Sequence, residues 1–228
     1  MINSGLLLLA WIPWFLGSLK WLAFTRFSIL LGLIVLLVVN GFLYSKNRRA
    51  MLDYVKTNWR YLLFVEGLFA LLFAFSLMLR INNPDLWQPW LGGEKPMDFT
   101  FFNGVLKSVY FPPANPWFAQ HYINYYYYGY VIAAIPTRLL GILPSIAFNL
   151  ILPSWFAMTG IGVFAIGYNL CAASTIKIQL PRPLKNSGNT VPDKPAIPFR
   201  NRKSTAYLCG IFALFVILIF GNFFQLNQ

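Results

Sequence analysis

The sequence predicts an all-α fold, a polytopic membrane helix bundle of about six spans. A long extracytoplasmic loop carries a short amphipathic surface helix. Three observations lead there. The chain has 228 residues, 58% hydrophobic and 11% charged, where soluble domains carry about 25% charged residues. Its apolar residues gather into runs of roughly 20, the length that crosses about 30 Å of hydrocarbon. Its formal net charge of +12 sits in short clusters between those runs, which fits loops facing anionic headgroups and argues against a nucleic-acid partner.

Taken in order, the N-terminus lacks a basic n-region and a small-residue cleavage site, so it reads as a retained first helix. Residues 6–24 form the first span, weakened by Pro13, Gly17 and Lys20. Residues 27–44 form a second, rich in Leu, Ile and Val, and the short connection at Thr25 and Arg26 makes the two a helical hairpin. The stretch 45–60 sets Lys46, Arg48, Arg49, Lys56 and Arg60 against Asp53 alone. That excess reads as a cytoplasmic loop and closes an N-terminal unit, 1–60. The third span, 61–79, contains Glu66. An intramembrane acid is a functional candidate by default, although here the headgroups or Arg60 would also satisfy it.

The core, 61–171, is organised around the loop 80–125. This loop holds Asp85, Glu94 and Asp98 among the chain's 6 acids, and its 1 histidine, His121. Residues 98–110 read as a helix with Phe99, Phe102, Leu106 and Val109 on one face, suited to lying flat on the membrane. Pro112, Pro113 and Pro116 end it. A fourth span, 125–143, opens with the aromatic belt YYYYGY, and a fifth covers 146–171. A basic, Pro-rich linker follows at 172–205, then the start of a further span within 206–228, as if the chain were part of a longer protein. The linker's cations (Lys177, Arg182, Lys185, Lys194, Arg200, Arg202, Lys203) argue for the cytoplasm. Two full spans after an outside loop would instead return it to the outside. Cys171 and Cys209 show no framework spacing and read as inert helix residues.

The segments NPDLWQPWLGGEKPMDF (83–99) and YFPPANPWFAQHYINYYYYGYV (110–131), with the span from Ile146 to Leu170, closely resemble the YYY-domain family of multi-pass membrane proteins. The order MDFTFFNGVLKS, YFPPANPW, YINYYYYGYVIAAIPTRLLGI is more distantly similar to the GT-C glycosyltransferases, which use polyprenyl-phosphate-linked sugars. That resemblance implies an extracytoplasmic site, a prokaryotic plasma membrane, membrane lipids and a lipid-linked sugar donor as partners, and a partner subunit to complete the fold. Asp98 stands where the superfamily has its catalytic acid. Phe99 stands where many members carry a second acid, and Glu94 is the nearest substitute.

The implied chemistry is attack of an acceptor hydroxyl on the anomeric carbon, with a carboxylate taking the proton. Cations or a divalent metal would hold the leaving phosphate, and Lys95, Lys107, His121 and Arg138 are the available cations. Trp87, Trp117, Tyr122 and Tyr126, with Trp90, offer flat faces for a sugar. Blander roles compete with each. An Asp at a helix start is commonly an N-cap, a lone histidine is more often a hydrogen-bonded loop residue than a ligand, and Trp and Tyr are more often interfacial anchors. The competing function is a non-catalytic scaffold or subunit that binds a protein or lipid through the 80–125 loop. A transporter fits less well, since no internal repeat is visible.

Overall fold

The computed structural model describes residues 2–82, 95–173 and 202–220. Among these the chain is helical, with no strand beyond one isolated bridge. The order is α1 (Ile2–Ser18), α2 (Arg26–Asn82), α3 (Lys95–Lys107), α4 (Tyr128–Leu140), α5 (Pro144–Ala173) and α6 (Arg202–Phe215), the last running into a π turn at Val216–Phe220. Two compact units divide it, Met1–Phe156 and Ala157–Gln228. The linker read at 172–205 lies outside the described residues except at its ends.

The basic segment 45–60 does not leave the helix. α2 runs 57 residues through it, with one non-helical residue, Asn47, at φ −118° and ψ 20°. A straight helix of that length would place Arg26 and Arg80 about 80 Å apart at 1.5 Å per residue. Yet Arg26 Nε donates to the Arg138 carbonyl at 2.7 Å, and Arg80 Nε donates to Asn149 Oδ1 at 2.7 Å. The chain from Arg138 to Asn149 spans at most roughly 40 Å even when extended. α2 therefore folds back at Asn47 into two arms, 26–46 and 48–82. Each arm has the length of a span, and the loop expected between them is a bend in a helix. Most apolar side chains along the arms are exposed, including Ile34, Leu37, Val38, Leu63 and Leu71, as a lipid-facing helix requires.

α2 and α5 are the two described helices that are long and apolar enough to cross a membrane. α4 is not. Its 13 residues give about 20 Å, short of the roughly 30 Å of hydrocarbon. The full span read at 125–143 is thus a shorter helix, closed by Gly141. That residue adopts φ 68° and its N–H bonds the Thr137 carbonyl. A Cβ there would come within 2.6 Å of the Arg26 guanidinium, so glycine answers both the left-handed turn and the close approach. Within 125–171 only α5 has spanning length.

α3 also departs from its expected place. The short helix exists, but Phe101, Phe102 and Val105 are buried, and Phe102 and Phe99 meet Phe148 of α5 at ring-centroid distances of 6.3 and 5.3 Å. The aromatic face is spent on α4 and α5 and is not laid on lipid. The core of this first unit gathers Ala10, Phe24, Ile29, Phe102, Val105, Phe111, Val131, Ile135 and Phe148.

In the second unit, Cys171 and Cys209 form a disulfide, which corrects their reading as inert thiols. The pairing comes from helix approach. A Cβ on Gly210 would lie 2.9 Å from the Phe164 carbonyl oxygen, so the backbones of α5 and α6 touch at small residues. The bond closes a separation of 38 residues, for which loop-closure entropy gives roughly 4 kcal/mol. Proteolysis within 174–201 of the non-reduced protein should leave two fragments that migrate together on a gel and separate on reduction. Separation without reductant would show the bond absent.

Candidate functional site

The site begins with the way α3 lies on α4. Tyr130 Oη donates to Asp98 Oδ1 at 2.5 Å near one end, and Arg138 Nη2 donates to the Leu106 carbonyl near the other. Both contacts join residues 32 apart in sequence. An unchanged offset over about two helical turns means that the helices run parallel and in register. Since α3 already runs from Lys95, Asp98 lies inside the helix and is not its N-cap. Its carboxylate is turned to a neighbouring helix instead.

Between α3, α4 and α5 the packing leaves a cavity of about 320 Å³, lined by Asp98, Phe102, Tyr126, Gly129, Tyr130, Ala133, Phe148, Ile151, Leu152 and Trp155. That volume is at the lower end of small-molecule sites. Among the described residues Asp98 is the single carboxylate in this lining, set among four aromatic side chains and the Tyr126 ring. Tyr126 is 77% exposed, so it stands at the mouth.

The tyrosine run divides its labour. Tyr127 accepts a hydrogen bond from Trp14 Nε1 at 3.3 Å and stacks on Phe111. Tyr128 donates to the Leu7 carbonyl and meets Trp14 edge-on. Tyr125 packs with Phe101. Only Tyr126 and, past Gly129, Tyr130 reach the cavity lining. Three of the four rings therefore do structural work, and the fourth, Tyr126, is left at the site.

Other sequence candidates lie elsewhere. Lys95 lines a second recess, of about 200 Å³, together with Ser76, Leu79, Arg80, Leu152 and Pro153. Leu152 belongs to both linings. Lys107 is exposed at the far end of α3, about 13 Å along the axis from Asp98. Arg138 is at that end too, bound to the Leu106 and Ser108 carbonyls. Its guanidinium lies over the Phe24 ring at 4.6 Å. Trp117, His121 and Tyr122 belong to a small hairpin bridged at Ala114 and Tyr122, where His121 stacks on Phe118 at 4.4 Å. None of the three lines the cavity. Glu94, Trp87 and Trp90 lie outside the described residues. Glu66 is exposed on α2 and lines neither recess.

Sequence reasoning missed Tyr130, Trp155, Phe148 and Arg80. Tyr130 and Arg138 share with Asp98 and Leu106 a spacing of eight, a signal visible only once α3 and α4 are known to be partners. Among the described residues no group of three or more His, Cys, Asp or Glu side chains is placed to hold a metal.

The role of Arg138 in holding α3 to α4 is open to test. Arg138→Gln removes the charged donor to two carbonyls and the contact with Phe24. The purified protein should lose about 2–3 kcal/mol of stability, seen as a lower thermal midpoint in detergent. An unchanged midpoint would show that these bonds hold nothing.

Comparison with known proteins adds one assignment. No curated protein and no solved structure matches the chain. The family described as "Uncharacterized membrane protein (DUF2298)" matches residues 8–228. This is the YYY-domain family that the tyrosine run and its flanks resemble. The chain belongs to it and is an integral membrane protein.

Proposed function

We propose that the chain is a GT-C-like glycosyltransferase, or the N-terminal part of one, moving a sugar from a polyprenyl-phosphate donor to an acceptor on the extracytoplasmic side. The observation that carries this reading is Asp98, a carboxylate oriented by Tyr130 on the wall of an aromatic-lined cavity. Aromatic walls suit a sugar, which stacks its apolar face on a ring and directs its hydroxyls to polar groups. Trp155, Tyr126 and Phe148 supply the rings, and Tyr130 supplies a phenol beside the carboxylate.

In the proposed step the acceptor hydroxyl oxygen attacks the anomeric carbon. The bond from that carbon to the phosphate oxygen breaks, and its electron pair leaves with the phosphate. The acceptor proton passes to Asp98. Tyr130 keeps the carboxylate aimed into the cavity, so it is a positioning residue.

The sharpest test is Asp98→Asn. The amide oxygen can still accept from Tyr130, so the fold is kept while the base is lost. Transfer from a polyprenyl-phosphate sugar, assayed in membranes, should fall by roughly 10²–10⁴, with an unchanged thermal midpoint. Undiminished transfer in the variant would remove Asp98 from the chemistry. A protein partner retained through purification, without transfer by the wild type, would favour the scaffold reading. The exposed hairpin tip, with Trp117 and Phe118 each 60% exposed, is the surface such a partner would use.

A further inference from the structure

We infer that the hairpin 113–123 is a membrane-docking element, whose aromatic tip seats among the lipid headgroups beside the first turns of α5. Its base is buried and its tip is not. Pro113 and Ile123 are covered, while Trp117 and Phe118 are each 60% exposed and Tyr122 is 62% exposed. Clustered exposed rings mark an interaction surface. Charge, backbone and height together commit this one to lipid.

From Ser108 to Thr137 the sequence contains no Asp, Glu, Lys or Arg. The histidine of the tip, His121, is stacked on Phe118 with ring centroids 4.4 Å apart. Protein interfaces surround an apolar centre with a polar and charged rim, which this hairpin does not have. A surface without charge is instead cheap to bring to the boundary of headgroups and acyl chains, where Trp and Tyr are enriched.

The backbone is prepared for a place poor in water. Asn115 N–H bonds the His121 carbonyl, Ile123 N–H the Pro113 carbonyl and His121 N–H the Phe118 carbonyl, while Trp117 N–H bonds Asn115 Oδ1. Pro112, Pro113 and Pro116 have no N–H to satisfy. The exposed amides of Gln120 and Asn124 keep the tip at headgroup level and out of the acyl core.

The height follows from the seat of the hairpin on α3. A Cβ on Gly104 would come within 3.2 Å of Pro116 Cγ. The nearby Phe102 meets Phe148 of α5 at 6.3 Å between centroids. Phe148 lies about 6 Å along the helix from Pro144, which opens α5. α5 has the length and apolarity to cross the bilayer, so its first turns stand where headgroups give way to acyl chains. The exposed rings then continue to the cavity. Tyr125 and Tyr126 have centroids 4.0 Å apart, and Tyr126 stands at the mouth beside Asp98. An amphiphile bound there can keep its tail in the leaflet that holds the hairpin. That last consequence rests on the glycosyltransfer reading, whereas docking itself needs no transfer.

The test is a fluorescent label at the tip of the full chain in phosphatidylcholine nanodiscs. Cys171 and Cys209 are paired, so Ala119→Cys supplies one free thiol for a bimane group. Lipid carrying a spin label just below its headgroup should quench that bimane at least about threefold more than aqueous acrylamide does. Added anionic lipid or salt should change nothing, since the hairpin has no charge to screen. Adding Trp117→Ser and Phe118→Ser, both at exposed positions, should reverse the preference without moving the thermal midpoint. Stronger quenching by acrylamide with the rings intact would overturn the docking, as would dependence on anionic lipid. Lipid quenching that persists in the double serine variant would overturn the role of the rings. A bimane shielded from both quenchers by a co-purifying protein would assign the tip to a protein partner instead. Asp98→Asn should leave the quenching unchanged, so that loss of transfer and loss of docking are told apart.

Discussion

The register of α3 on α4 is the constraint from which the rest of the first unit follows. Asp98 with Tyr130 fixes one end, and Arg138 with the Leu106 and Ser108 carbonyls fixes the other. A helix ends with carbonyls that have no partner inside it. In a membrane protein, water cannot be relied on to satisfy them. Arg138 does so, and Phe24 covers its guanidinium. The Phe24 N–H in turn bonds the Val109 carbonyl at 2.7 Å, and Arg26 bonds the Arg138 carbonyl. The turn between α1 and α2, the end of α3 and the end of α4 thus close on one another. A cation that the sequence offers to a substrate is occupied in holding three elements together.

The cavity is a consequence of this packing. With α3 and α4 in parallel register, their aromatic faces converge on α5, and Phe99, Phe102 and Phe148 meet. Gly129 and Ala133 are too small to fill the space left on α4, so it remains open beside Trp155. Asp98 is drawn to its rim by Tyr130. A carboxylate in such a setting needs a donor, and a phenol two residues after the tyrosine run provides it. The arrangement places a carboxylate, rings and a small recess with two cations along neighbouring parts of α2, α3 and α5, so that the cavity and the scaffold share their residues.

The hairpin from Pro113 to Ile123 shows the same economy. Asn115 N–H bonds the His121 carbonyl at 2.7 Å, and Ile123 N–H bonds the Pro113 carbonyl at 2.9 Å. The Trp117 N–H is taken by Asn115 Oδ1 at 2.9 Å. The backbone is pinned while Trp117, Phe118 and Tyr122 stay exposed. Trp117 and Tyr122 were candidates for sugar stacking, yet their position gives them an outward surface away from the lining of the Asp98 cavity.

Composition and the length of the apolar runs determined, without any structure, that this is an all-α membrane protein. Both depend only on summed hydrophobicity along the chain. The tyrosine run and its flanks determined the family, and the density of acids and aromatics in 80–125 pointed to the stretch that holds Asp98. What the sequence could not settle were matters of pairing. The helix through 45–60 runs on because its residues favour helix whatever their charge, and the bend at Asn47 appears only when Arg26 is placed at the end of α4 and Arg80 beside Asn149 near the start of α5. The length of α4 was hidden because the apolar run continues past Gly141, where a left-handed residue ends the helix. The disulfide, the place of Arg138, and the meeting of Arg80 with Lys95 each join residues far apart in sequence. Tertiary packing alone decided them, since local sequence carries no term for which distant faces will meet.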